Sequence, residues 1–189
     1  MAKREMLLFE EPGPKQTEAT LKAARQRAAQ LGIKTVVLAT STGRTALMAL
    51  DVFEGTGVRI IGVTLHAGLW KKYAPPDPEK VRAAEERGAR FVTATHTLMG
   101  NVESAVQEKL GGVSPCDVIA HTYYTFCQGM KVAVEVAVMA ADAGLLEGEK
   151  EVIAIAGTSE GADTAIVLSP AYSTDFFDLK INEVIAMPR

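Results

Sequence analysis

A chain of 189 residues, 48% apolar, 23% charged and 6% aromatic, has the make-up of a folded globular protein and excludes a disordered or collagen-like one. Twenty basic against twenty-three acidic residues leave a net charge of −3, which speaks against nucleic acid as a partner, since that would call for a basic stripe. No apolar run approaches the ~20 residues of a membrane span. After Met1 to Glu5 the apolar run Met6 to Phe9 is too short for a signal peptide, and Cys116 and Cys127 have neither CxxC nor disulfide-framework spacing. The expectation is one cytoplasmic domain over residues 1–189, with two reduced thiols and no membrane partner.

In chain order, Met6 to Phe9 reads as a short strand and Glu10 to Lys15, with two prolines and a glycine, as a loop. Thr17 is placed to cap a helix whose face carries Leu21, Ala24, Ala28 and Leu31 and whose stop is Gly32. Thr35 to Thr40 is a nearly continuous apolar strand, as in a parallel sheet covered on both faces. The turn Ser41-Thr42-Gly43 leads into a helix bearing Ala46, Leu47, Leu50 and Phe53, and Val58 to Thr64 is the next buried strand. Asp77 caps a helix that ends near Gly88, and Arg90 to Ala94 is a further strand. Met99 to Leu110 is helical. Ser114-Pro115 opens another helix, ended by Gly129, and Met130 to Ala143 forms a third, closed by Gly144. Val132, Val134, Val136 and Val138 alternate like a strand, but the length and the alanines favour a buried helix. Glu151 to Ala156 and Thr164 to Leu168 are strands around a glycine-rich turn, antiparallel at one edge, and Glu183 to Ala186 is a short last strand. The alternation predicts an α/β fold, a three-layer α/β/α arrangement around a mostly parallel sheet.

Two loops leave carboxyl ends of buried strands, where ligands bind in open α/β sheets. In the first, Thr40, Ser41, Thr42, Gly43, Arg44 and Thr45 precede a helix, so amide hydrogens and the positive end of the helix dipole face outward. Gly43 would let an anion approach, up to four hydroxyls would donate to phosphate oxygens, and Arg44 would add a forked contact. The loop is not a Walker A motif, and the same residues suit a plain helix cap. The second loop, Gly157 to Thr164, holds Gly157, Thr158, Ser159, Gly161, Ala162, Asp163 and Thr164; it suits the far side of the same cleft, or an ordinary hairpin turn.

His66 and His96 each follow a strand at this end and suit anion binding or proton transfer, or backbone capping. No residue spacing supports a metal site. Glu135 lies in an otherwise apolar stretch and therefore needs a partner, a raised pKa or a solvated cavity; a structural acid and a general base in the pocket both satisfy this. Trp70, Lys71, Lys72 and Tyr73 suit a flap over a planar ring, or a surface loop.

Thr35 to Ala46, followed by Ile60 to Thr64 and then by Ala143 to Gly157, resembles the carboxy-terminal domain of pyruvate kinase. Val63 to Gly68, Lys131 to Gly144, Gly161 to Ala165, Phe176 to Asp178 and Met187 to Arg189 are similar to a small family of stand-alone archaeal and bacterial proteins of that fold. The resemblance implies phosphate contacts at Thr40 to Thr45 and at Gly157 to Thr164, with flavin mononucleotide (FMN) as the cofactor. It implies no pyruvate kinase activity, because phosphoryl transfer there belongs to a barrel domain whose motifs this chain lacks. Three functions stay open. The first is binding of a phosphorylated small molecule. The second is an enzyme acting on such a molecule with His66 and Glu135 or Asp163 as acid–base groups. The third is a ligand-free regulatory or assembly module, with a homo-oligomer as a possible partner state.

Overall fold

Apolar runs with alternating inward faces become the strands of a single seven-stranded sheet in the computed structural model, which describes residues 5–189. The reading of Met1 to Arg4 lies outside the described residues. The strands are β1 (Leu7–Phe9), β2 (Thr35–Ala39), β3 (Arg59–Thr64), β4 (Arg90–Thr93), β5 (Val152–Ala156), β6 (Thr164–Ser169) and β7 (Lys180–Pro188), in the order β1-β7-β6-β5-β2-β3-β4. Four of the six pairings are parallel; β6 runs antiparallel to β5 and to β7. The sheet is thus mostly parallel with an antiparallel side, as expected, and β7 is longer than the run Glu183 to Ala186 because it pairs with β6 along its length.

The helices are α1 (Thr17–Leu31), α2 (Arg44–Val52), α3 (Pro78–Glu86), α4 (Val102–Leu110), α5 (Pro115–Tyr124) and α6 (Gln128–Asp142). Successive side chains of a strand point to opposite faces. Val36 and Leu38 of β2 therefore join Leu21 and Ala24 of α1, Ala46 and Ala49 of α2 and Ala84 of α3 in one core layer. Val37 joins Val134, Ala137 and Ala140 of α6 in the other. α6 carries the alternating valines as a helix because it is buried almost all round, so no polar face marks its period.

Three expected boundaries move. Gly129 does not end α5. It lies in the first turn of α6, where a Cβ would stand 2.6 Å from Cβ of Thr164, so a side chain there would collide with β6. Thr17 does not cap α1. A 3-10 turn (Pro14–Gln16) precedes it, and its buried hydroxyl donates to the Pro14 carbonyl and accepts from the Ala162 amide. α4 begins at Val102 rather than Met99, because Asn101 caps it by accepting from the Ser104 amide.

Candidate functional site

Adjacent strands β5, β2, β3 and β4 all end at one edge of the sheet, and each hands on to a segment singled out above. Leu38 pairs with Ile155, so the loops after β2 and β5 start side by side. The Thr40 amide donates to the Val63 carbonyl at 2.9 Å, which carries the β2–β3 ladder one residue further before the chain turns.

In the first loop, Thr40 is buried and its Oγ1 accepts from the Ala46 amide at 3.4 Å, in the first turn of α2. Thr42 Oγ1 accepts from the Arg44 amide at 3.5 Å, a weak bond. Among the described residues no protein acceptor takes the amide hydrogens of Ser41, Thr42, Gly43 or Thr45. These donors sit at the N-terminus of α2, where the helix dipole favours negative charge. Ser41 and Thr42 are half-buried and Arg44 is exposed, whereas Thr45 is buried like Thr40. The expected set of four hydroxyls therefore shrinks to two within reach of a ligand.

Gly43 is explained differently from the expectation. Its φ of +91° lies in the left-handed region, and a Cβ there would stand 3.3 Å from Lys80 Cβ and from the Val81 amide nitrogen of α3. α3, not an anion, is what needs the missing side chain. The Asp77 amide donates to the Thr42 carbonyl at 3.2 Å, and Asp77 in turn caps α3 and pairs with Lys80. The turn is thus wedged between the N-termini of α2 and α3, with the cations Arg44 and Lys80 beside it.

The second loop is built around a fully buried carboxylate. Asp163 Oδ2 accepts from the amides of Gly13 (2.9 Å) and Thr158 (3.0 Å), and Oδ1 accepts from the Thr164 hydroxyl (2.8 Å). Asp163 therefore holds the loop shut and ties it to the segment before α1; it is not free for proton transfer. Ala162 and Thr164 are buried. Gly157, Thr158 and Gly161 are half-buried and Ser159 is exposed, the last with a left-handed φ of 65°.

His66 Nδ1 accepts from the Gly68 amide at 3.1 Å, so Nε2 carries the proton that it donates to the Gly100 carbonyl at 2.8 Å. Both ring nitrogens are engaged by the backbone in this arrangement. Glu135 finds its partners within the protein. Its Oε1 accepts from the amides of Leu98 (2.9 Å) and Met99 (3.0 Å), and its Oε2 from the Lys131 ammonium (2.6 Å). Only 2% of Glu135 and 4% of Lys131 is exposed, so no substrate reaches them from solvent. Lys131 was missed at the level of sequence, although a lysine four residues before a glutamate in an apolar helix is a signal for a buried pair.

His96 stands edge-on to His66, ring centroids 5.2 Å apart, with its Nδ1 3.8 Å from Glu135 Oε2. Burial pulls its pKa below the ordinary value, against the opposing pull of Glu135, while Lys131 and His66 add to the lowering. Trp70 donates to the Leu65 carbonyl at 2.7 Å and is half-buried; Tyr73 is 61% exposed with the Lys72 ammonium 5.4 Å from its ring centroid. Burial and the neighbouring Glu103 push the Cys116 thiol up to about 11, away from the thiolate form.

Two surface hollows lie elsewhere. One of about 500 Å³ is lined by Gln107, Val113, Asp117 and His121 near α4 and α5, and one of about 310 Å³ by Leu146, Glu149, Tyr172 and Asp175. Among the described residues no three His, Cys, Asp or Glu side chains gather to hold a metal ion, and no helix is long and apolar enough to cross a membrane.

Against known proteins, residues 18–168 match the family model described as pyruvate kinase, alpha/beta domain. Among solved structures, Cryptosporidium parvum pyruvate kinase in complex with ADP is similar at 18% identity over 89% of this chain, with a TM-score of 0.39. The chain spans 23% of the length of that structure.

Proposed function

This chain belongs to the family of the pyruvate kinase alpha/beta domain, and we propose that it binds a phosphorylated small molecule at the turn 40–45. One observation carries the reading: among the described residues, four neighbouring amide hydrogens, of Ser41, Thr42, Gly43 and Thr45, lack a protein acceptor at the N-terminus of α2. A phosphate oxygen is the acceptor such donors suit, because they present partial positive charge without needing a counter-residue. The exposed Arg44 and the hydroxyls of Ser41 and Thr42 add charge-assisted and neutral donors on the same side. Thr158 and Ser159 lie in the loop after β5, the strand paired with β2, and would offer further hydroxyls.

FMN, the ligand the resemblance implies, fits at its phosphate end, and the chemistry it would supply when bound is that of its flavin ring. Residues 40–45 would hold the phosphate, while Tyr73, exposed in the loop that rejoins the turn at Asp77, would offer an aromatic face for a ring. An enzymatic role through His66, Glu135 or Asp163 gains no support, since each is committed to internal partners. The reading also keeps pyruvate kinase activity outside the function of this chain.

The test is a thermal-shift series with FMN, a sugar bisphosphate and inorganic phosphate, run on the protein and on Ser41→Asp. Stabilisation by at least one phosphorylated compound, lost when a carboxylate stands in the cradle, supports the proposal. No shift with any of them at millimolar concentration, or an equal shift in Ser41→Asp, overturns it.

A further inference from the structure

The hollow of about 500 Å³ beside α4 and α5 is lined by a buried carboxylate without a partner. Asp117 enters it from the first turn of α5, together with Gln107 of α4 and His121 and Thr122 of α5. Only 7% of Asp117 is exposed, and among the described residues its buried Oδ1 has no hydrogen-bond partner. None of the ion pairs of the described residues includes Asp117, and His121, one helical turn on, makes none with it. A carboxylate taken out of water without a donor is costly, so this one is set to receive a donor from outside the chain.

The donors nearby are already spent. At a helix start the free amides ordinarily take such a carboxylate. Here Pro115 has no amide hydrogen, the Cys116 amide donates to Glu103 Oε2 (3.3 Å), the Asp117 amide to Ser114 Oγ (3.3 Å) and the Val118 amide to the Ser114 carbonyl (3.2 Å). The hydroxyls that line the hollow turn to the backbone as well: Thr122 donates to the Val118 carbonyl (2.8 Å) and Thr125 to the Thr122 carbonyl (2.6 Å). Gln107 Nε2 donates to the Gly112 carbonyl (3.3 Å), which leaves its Oε1 as an acceptor. The hollow is thus rich in acceptors, with a negative charge at its buried side. Apolar surface completes it, since Val113 and Val118 line it while 77% and 54% exposed.

We propose that this hollow binds a small organic cation, a primary alkylammonium or alkylguanidinium, whose head donates to Asp117 and whose stem lies on Val113 and Val118. Such a head brings several N–H donors and the charge that the carboxylate lacks. Its aliphatic stem gains from apolar surface that the chain leaves bare. A metal ion suits the hollow less well, because among the described residues no three His, Cys, Asp or Glu side chains gather. The volume is in the range of small-molecule sites, about 300–1,000 Å³. None of the lining residues belongs to the turn 40–45 or to the loop 157–164, so this site and the proposed phosphate site stand or fall separately.

The experiment titrates the full chain with n-butylammonium and n-butylguanidinium chloride at constant ionic strength and follows the backbone amides by NMR. The neutral n-butanol is the control for the stem. The expected result is saturable shifts at Asp117, Val118, His121 and Thr122 with at least one cation, and none with n-butanol. A Kd on the order of 1–10 mM suits a ligand of so few atoms. Asp117→Asn keeps the shape and removes the charge, and should weaken binding about tenfold or more. His121→Lys places a tethered ammonium one turn from Asp117 and should block both cations, which serves if Asp117→Asn does not fold. No saturable shift with either cation at about 50 mM, well above the expected Kd, would overturn the site. So would equal shifts with n-butanol, shifts scattered over the surface, or an affinity unchanged in whichever variant folds.

Discussion

Two positions show how a single atom decides local structure here. At Gly129 the α6 backbone passes so close to β6 that a methyl group would meet Cβ of Thr164 at 2.6 Å and approach Oδ1 of Asp163 at 3.0 Å. Both neighbours are buried, so neither yields easily. Gly129→Ala should lower stability by about 1–3 kcal/mol despite the better helix propensity of alanine, read by chemical denaturation. Asp163 is the second position. Its two oxygens satisfy two amides and a hydroxyl, of which the Gly13 amide and the Thr164 hydroxyl are buried. Asp163→Ala should cost about 3 kcal/mol or more, and hydrogen exchange should show the Gly13 and Thr158 amides losing protection first. Asp163→Asn, which keeps an acceptor oxygen, should fall between that variant and the native chain. The letter sequence made Asp163 look like a ligand contact because polar residues in a glycine-rich loop read alike whether they point outward or in.

At the scale of elements, α6 is the axis of the molecule. It supplies the helical side of the core on one face of the sheet, and the buried Lys131–Glu135 pair it carries reaches out to position segment 95–101. Breaking a buried ion pair leaves an uncompensated charge, which exceeds the loss of the attraction itself. Glu135→Gln should therefore lower stability by about 3 kcal/mol, with a fall in Tm on the order of 10 °C. The double variant Lys131→Met with Glu135→Gln should recover part of that loss, a comparison calorimetry settles directly. α4 is the contrasting element. It buries none of its residues, and Val102 (77%), Val106 (49%) and Leu110 (76%) stay exposed. The amphipathic pattern made α4 legible as a helix, yet pattern alone does not say whether an apolar face finds a partner within the chain.

At the scale of the whole molecule, parallel packing of β5, β2, β3 and β4 brings four separate loops to one edge, and the N-terminus of α2 adds unpaired donors there. If a dianion binds at this edge, saturation at 100 times Kd should add about 2.7 kcal/mol of stability. Arg44→Ala should weaken binding about three- to tenfold, with the larger effect at low salt, because its guanidinium is exposed and screened. Isothermal titration at two ionic strengths checks both the magnitude and the salt trend. The convergence of the four loops was legible in advance, since each follows an apolar strand and parallel strands end on one side. Which loop residues face solvent was not. Thr40 and Thr45 are buried, Thr40 accepting from the Ala46 amide of α2, and His66 turns to the backbone of Gly100, more than thirty positions away, and of Gly68.

From its sequence alone the chain specifies the α/β alternation, the mostly parallel sheet with its antiparallel side and the family to which the chain belongs. Those features rest on periodicity, caps and short ordered motifs, which act between residues near in the chain. Tertiary structure alone decided the partners of the polar groups: that Gly43 makes room for α3, that Asp163 and Glu135 satisfy distant amides, and that Lys131 is buried. Each of those outcomes depends on contacts between elements far apart in sequence, where geometry rather than composition selects which donor meets which acceptor.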